Sequence, residues 1–331
     1  MVEGVVVSSP MLTIFTSPKP FEGHIGIIQE NAVDSWLALG ESVEVLVIGD
    51  ESGMEDVARS RGLLHLRDVR RNAYGTPLLS SIFGLASKAA RASILCYANA
   101  DILLLPDLLE AVAWVSARLD GYLIVGRRWD LEVADRLSFE EGWPERLRTR
   151  VRTAGRLHKP AGSDYFVFPK GLFADIPDFA LGRAGWDNWM IYAGRARRVP
   201  VIDGTDRITV IHQQHDYGHL PGGQPHYGLP ESRQNIAMGG GREIVFTLLD
   251  CSHRLTDGDL EPIKPASLAG WRRWLLVQAV ILLGPGRPAR MIRMILHPVE
   301  TIRYFLRKRS GGMRGTSKEQ EQSSRAREAG G

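Results

Sequence analysis

The sequence predicts an α/β fold, a mostly parallel sheet flanked by helices, with a helical extension towards its C-terminal end. Two observations carry that prediction. Through the first half of the 331 residues, short β-rich runs alternate with segments whose apolar residues recur at helical spacing. Parallel strands need long crossovers, and helices covering both faces of the sheet supply them. Beyond about Pro265 the pattern changes to closely spaced apolar and basic residues, unlike the sheet-forming region before it.

The first strand is LTIFT (12–16), followed by a helix with Ile28, Ala32, Trp36 and Leu39 on one face. VEVLVI (43–48) is the second strand. Leu79, Ile82, Phe83, Ala86 and Ala90 share a helix face before the strand SILCYA (93–98). Leu109, Val112, Ser116 and Leu119 do so before YLIVG (122–126). From Arg127 the chain turns charged and aromatic, and 127–160 reads as an inserted helical hairpin or lid. DYFVF (164–168) and a stretch near Ile208 to Ile211 add strands, with the loop GRAGWDNWMIY between them. HQQHDYGHLPGGQPHYG, from His212, holds too much Gly and Pro for a regular element. These segments group into one domain over 1–250, a linker at 251–266, a basic amphipathic helical segment at 267–309, and a tail at 310–331 with too little to bury to fold.

Composition narrows the function. Only Cys96 and Cys251 are present, without partner spacing, so neither a disulfide framework nor a cysteine zinc site is expected, and a reducing cytoplasm fits. MVEGVVVSSP lacks the positive n-region of a secretory signal peptide. The net charge of +3 is uneven: Trp271 to Arg309 holds nine Arg or Lys against one acid, Glu300. Basic character confined to one segment argues against a nucleic-acid partner and for a local anionic contact. WRRWLLVQAVILL is too short to span a bilayer, which takes roughly 20 residues. It reads as a helix in the membrane interface, with Trp at headgroup depth and Arg on anionic phosphates, or as a helix packed on the domain. The expected location is the cytoplasm, at the inner face of the plasma membrane.

Ligands of open α/β sheets bind outside the carboxyl ends of strands. The polar groups that directly follow strands are Thr16 to Lys19, Gly49 with Asp50, and Asn99 to Asp101. In LCYANADILLL (95–105) an amide and a carboxylate interrupt an apolar run, and strand alternation points both to one side. Asp101 offers a hard oxygen for Mg²⁺ or Mn²⁺, ions that bridge carboxylates to phosphates. Capping the next helix or closing a turn is its other reading. His212, His215, His219 and His226 fall within fifteen residues and offer either further ligands or a solvated turn.

The segment NAYGTPLLSSIFGLASKAARASILCYANADILLLPDLLEAV resembles the nucleotide-sugar-binding core of GT-A-fold glycosyltransferases, with Asn-Ala-Asp in place of Asp-x-Asp. LTIFTSPKPF is similar to the family's first strand and nucleotide loop, VLVIGDESGMEDVARSRG to its second strand, and RAGWDNWMIY to the loop that carries an acceptor-activating carboxylate. The resemblance covers about Leu12 to Gly223. It implies a nucleotide-sugar donor held by Thr16, Lys19, Asp50, Thr76, Asn99 and Asp101, and a divalent cation, Mn²⁺ or Mg²⁺, on Asp101, His212 and His215. His215 and His219 would meet the β-phosphate, while Asp164, Trp186 and Trp189 would meet acceptor or sugar. Asp187 would be the general base, which favours inversion; were it structural, retention stays open. The acceptor would be a glycan or lipid-linked hydroxyl, as in polysaccharide biosynthesis. Charge building on the leaving diphosphate calls for cations, for which Lys19, Arg127 and Arg128 are also candidates.

Rival readings are a sugar nucleotidyltransferase, whose Gly-rich basic signature TSPKPFEGHIG matches poorly, and a catalytically silent nucleotide-sugar-binding module, which Asn99 would suit. A histidine-ligated hydrolase would need ligand spacing such as H-E-x-x-H, absent here.

Overall fold

Nine strands form the main sheet of the protein, a computed structural model that describes residues 9–215 and 228–296. His219, His226 and the segments 297–309 and 310–331 lie outside the described residues. Two compact units divide between Lys264 and Pro265.

In the first unit, β1 (Leu12–Thr16), β2 (Val43–Ile48) and β3 (Leu64–Leu66) are parallel and joined by α1 (Gly23–Leu37) and α2 (Met54–Arg61). The chain then passes through α3 (Leu79–Ala89) and returns to the other side of β1 as β4 (Ile94–Ala98), again parallel. Strand order therefore reverses at β1. Beyond β4 lie β9 (Tyr165–Pro169), β6 (Leu123–Val125), β10 (Val201–Asp203), β12 (His253–Leu255) and β13 (Leu260–Pro262), in that order. β9 runs against β4 and β6, and β13 against β12; the other neighbours are parallel. The expected α/β class, a mostly parallel sheet between helices, is what the chain forms.

Burial explains the strands. All of β1 and β4 is buried, as a strand covered on both faces requires, and the apolar runs LTIFT and ILCYA meet that demand. Trp36 on α1 is fully buried, its indole N–H donating to the Ile102 carbonyl at 2.9 Å. α4 (Asp107–Ser116) buries Leu108, Ala111, Val112 and Val115; of the expected face, Val112 is in the core, Leu109 and Leu119 are half-buried against it, and Ser116 stays outside it.

Residues 127–160 are not a helical hairpin. They contain one helix, α5 (Trp143–Ala154), and two short strands, β7 (Trp129–Leu131) and β8 (Arg156–Leu157). These strands join β5 (Ile102–Leu104) and β11 (Val210–Gln213) in a second sheet, ordered β5-β11-β7-β8. Trp143, Leu147 and Val151, one face of α5, form a core with Leu103, Leu131, Val133 and Ile211. That core ties the insert to β5 and β11. Residues 251–266 are likewise not a plain linker, because they carry the two three-residue strands β12 and β13 of the main sheet. Three-residue strands such as HRL and LEP, the second a Pro-containing edge, read as loop in a sequence.

The second unit begins with α8 (Leu268–Leu283), capped by the Ser267 hydroxyl accepting from Gly270 N–H at 3.1 Å, and continues as α9 (Arg287–Leu296). The two helices pack on one another. No described helix is long and apolar enough to cross a membrane.

Candidate active site

The strand reversal at β1 puts the carboxyl ends of β1 and β4 side by side, with Phe15 opposite Tyr97 and Ala98 opposite Tyr165 at the start of β9. A crevice outside such ends is where open α/β sheets bind ligands. Thr16 and Ser17 line it, both buried, with hydroxyls that have no hydrogen-bond partner. The loop after β1 is clasped by buried Gln29 of α1, whose side chain accepts from Lys19 N–H at 2.7 Å and donates to the Lys19 carbonyl at 2.9 Å. Burial pushes the Lys19 ammonium below its usual range; the Asp101 charge opposes that and the Arg183 charge adds to it. The loop rests on Gly26, where a Cβ would come within 2.8 Å of the Phe21 carbonyl carbon. Gly26→Ala is expected to destabilise the protein by about 1–3 kcal/mol, read as a lower midpoint in chemical denaturation.

Asn99 and Asp101 do not share a face, since β4 ends at Ala98 and a turn follows, with Ile102 N–H donating to the Asn99 carbonyl at 3.1 Å. They are instead the two ends of a circuit of side chains. Asn99 accepts from the Tyr97 hydroxyl at 3.1 Å and donates to Asp164 at 2.9 Å. Asp164 accepts from Arg128 at 2.6 Å, and Arg128 donates to Asp130 at 3.1 Å. Asp130 lies 3.3 Å from His212 Nδ1, and His212 Nε2 lies 3.6 Å from Asp101. Carboxylates and cations alternate round it, which is how buried charge is tolerated.

At the Asp101 end, His215 Nε2 is 3.2 Å from Asp101 Oδ2. Ligand atoms of Asp101, His212 and His215 all lie within 4.8 Å of one another, and the other Asp101 oxygen is buried without a hydrogen-bond partner. One carboxylate and two imidazoles, with a spare oxygen, fit a divalent cation. Asp130 faces the far nitrogen of His212 and also meets His158 Nδ1 at 2.9 Å. A carboxylate in that position fixes a ligating imidazole. Burial alone would raise the Asp101 and Asp130 carboxyls, yet both are held below the usual range, Asp101 by His212 and His215, and Asp130 by His212, His158 and Arg128. Burial would lower His212, but chiefly Asp101, with Asp130, pushes it up to about 9. Asp130→Asn is expected to weaken Mn²⁺ affinity by roughly 10- to 100-fold, measured by calorimetry, with the fold intact.

Asp187 opens α6 (Trp186–Ala196) behind Gly185, whose φ of 106° suits glycine. Burial, with the charge of Asp164 adding to it, pushes the Asp187 carboxyl up to about 6, against hydrogen bonds from backbone N–H groups at the helix start. It lines a small cavity with Gly162, Ser163, Asn188, Thr247 and Leu248. A Cβ on Gly162 would sit 3.8 Å from its Oδ2, at ordinary contact distance, so Gly162 borders the carboxylate directly.

Other expected contacts are placed differently. Trp186 and Trp189 are only 5% and 8% exposed, and their rings are committed to aromatic packing, Trp186 on Tyr97 and Phe166, Trp189 on Phe173 and Phe179. Neither presents a face to a sugar. Asp164 is a buried partner of Arg128 and Asn99. Arg128 is spent on two carboxylates, and Arg127 Nε donates to the His158 carbonyl at 2.5 Å. Asp50 pairs with Arg71, as does the more buried Glu51 at 2.8 Å. Thr76 lies in a loop held by Asn72, which accepts from Thr76 N–H at 3.0 Å and donates to Glu231 at 2.7 Å; Arg183 pairs with the same Glu231 at 2.8 Å. Asp130, His158 and Glu231 were not singled out in the sequence. RRWDL and HKP carried no spacing that joined Asp130 and His158 to His212, which lies on a parallel strand far along the chain.

No known family profile matches the sequence, and no curated protein matches it. Among solved structures, the chain is similar to mannosyltransferase PcManGT from Pyrobaculum calidifontis in complex with GDP-Man and Mn²⁺, at 13% identity and a TM-score of 0.45 over 84% of this chain and 71% of that one. TarS 1-349 of S. aureus in complex with UDP-GlcNAc aligns at 13% identity and 0.46 over 88% and 87%. Glucosyl-3-phosphoglycerate synthase from Mycobacterium tuberculosis, with Mg²⁺ and UDP, aligns at 15% and 0.43 over 69% and 78%. Likeness at this level assigns no role to any residue of this chain.

Proposed function

We propose that the chain is a glycosyltransferase of the GT-A type, moving a sugar from a nucleotide-sugar donor to a hydroxyl of a glycan or lipid-linked acceptor with the help of Mn²⁺ or Mg²⁺. The Asp101–His212–His215 cluster at the strand-order reversal carries this reading, because it sets a cation-binding donor group where sheets of this kind bind phosphates. Thr16, Ser17 and Lys19 enter the same crevice from β1.

In the reaction a bond forms between the acceptor oxygen and the anomeric carbon, the bond from that carbon to the phosphate oxygen breaks, and its electron pair leaves with the diphosphate. Asp101, His212 and His215 would hold the ion, which when bound supplies positive charge towards the leaving group. Lys19 adds a second cation. Asp187, with a carboxyl near 6, is ionised at neutral pH and accepts the acceptor's proton as the new bond forms. Attack assisted directly by that carboxylate inverts the anomeric centre.

The test is calorimetric titration of UDP- and GDP-linked sugars into the protein with and without Mn²⁺. Binding strengthened by Mn²⁺ is expected for one nucleotide class. An absence of binding in every combination overturns the proposal.

A further inference from the structure

The residues of the proposed site all belong to the first unit. Of the thirteen exposed large apolar side chains among the described residues, nine lie on α8 and α9. On α8, Leu268, Trp271, Leu275 and Leu282 fall at helical spacing along one face and are 69%, 49%, 46% and 68% exposed. Trp274 borders that stripe, its ring 5.5 Å from that of Trp271. On α9, Met291, Met294 and Ile295 are exposed on the face that Arg287 and Arg290 flank. A soluble surface does not ordinarily gather so much apolar area without an occupant.

Charge identifies the occupant. From Ser267 to Leu296 the chain carries five arginines, Arg272, Arg273, Arg287, Arg290 and Arg293, and no Asp or Glu. A second copy laid on this face would set arginines against arginines. Residues 297–309 add His, Lys and Arg against one acid, Glu300, so chain beyond α9 brings the same sign. What complements an apolar stripe edged by arginines, with paired tryptophans on it, is an interface that is apolar inside and anionic at its rim. We infer that α8 and α9 seat the protein on the surface of an anionic bilayer, apolar side chains entering between headgroups and arginines meeting lipid phosphates. Helix α8, at sixteen residues, lies in the interface and does not span it.

The full-length chain is tested by co-sedimentation with vesicles of phosphatidylcholine alone and of phosphatidylcholine with phosphatidylglycerol, followed also by tryptophan emission. The anionic vesicles are expected to bind it, shift the emission to the blue and release it at high salt. Trp271→Ser/Leu275→Ser/Leu282→Ser changes exposed positions only and is expected to lose ~10²-fold or more in vesicle affinity. Arg272→Gln/Arg287→Gln should lose roughly 10- to 30-fold. Unchanged thermal melts of both variants exclude misfolding as the cause. Absence of binding, or equal binding to neutral and anionic vesicles, overturns the inference. So does a dimer that the serine variant dissociates while no vesicle is bound, which would make a second copy the occupant. The measurement uses no nucleotide sugar, so its outcome is separate from that of the proposed activity.

Discussion

Replacing Asp187 by Asn is expected to cut sugar transfer by ~10² or more while leaving donor affinity intact. The amide keeps the side chain's size at the start of α6 and removes only its capacity to take a proton. Wild-type kcat/KM should rise with pH through about 6 and level off above it, since the ionised form is the active one. The acidic limb should vanish in the variant. Stability moves the other way. A carboxyl raised to about 6 in the fold, from an ordinary value of 3.8, contributes stability below the unfolded value and loses it as pH rises through the folded one. Asp187→Asn should therefore melt higher than wild type at neutral pH. Transfer that survives the substitution removes Asp187 as the base.

The second large effect is expected from Asp101→Ala. It takes away the one carboxylate of the proposed ion site and leaves only the two imidazoles of His212 and His215 as its donors. Mn²⁺ affinity should fall by more than the ~10- to 100-fold set for an outer partner such as Asp130, and nucleotide-sugar binding should lose its dependence on the ion. Titration with Mn²⁺, monitored by its paramagnetic resonance signal, reads this directly. Donor binding that Mn²⁺ still strengthens in the variant would place the ion elsewhere.

The first half of the sheet was legible because its strands are apolar runs buried on both faces. LTIFT and VEVLVI coincide with β1 and β2. Asp101, His212 and His215 could be named as a set, although strand β11 and the turn after β4 come together only through pairing that no local pattern records. Antiparallel pairing of His212 with Ile102 supplies it. The insert at 127–160 misled because Trp143, Leu147 and Val151 do mark a helix, while the strands beside it, of three and two residues, are too short to show alternation. The tryptophans of GWDNW misled for a different reason. Aromatic residues next to a functional carboxylate suit a sugar and a core equally, and only burial distinguishes the two.

Two of the three donors at the proposed ion site are imidazoles, and that bears on which metal the protein would select. Magnesium favours oxygen ligands and gives up its water shell reluctantly, so nitrogen donors add little to its binding. Manganese gains more from them, and ions further along the first transition row gain more again. The chain would thus discriminate by donor atom rather than by size, and its output would follow the supply of a nitrogen-accepting ion even where magnesium is abundant.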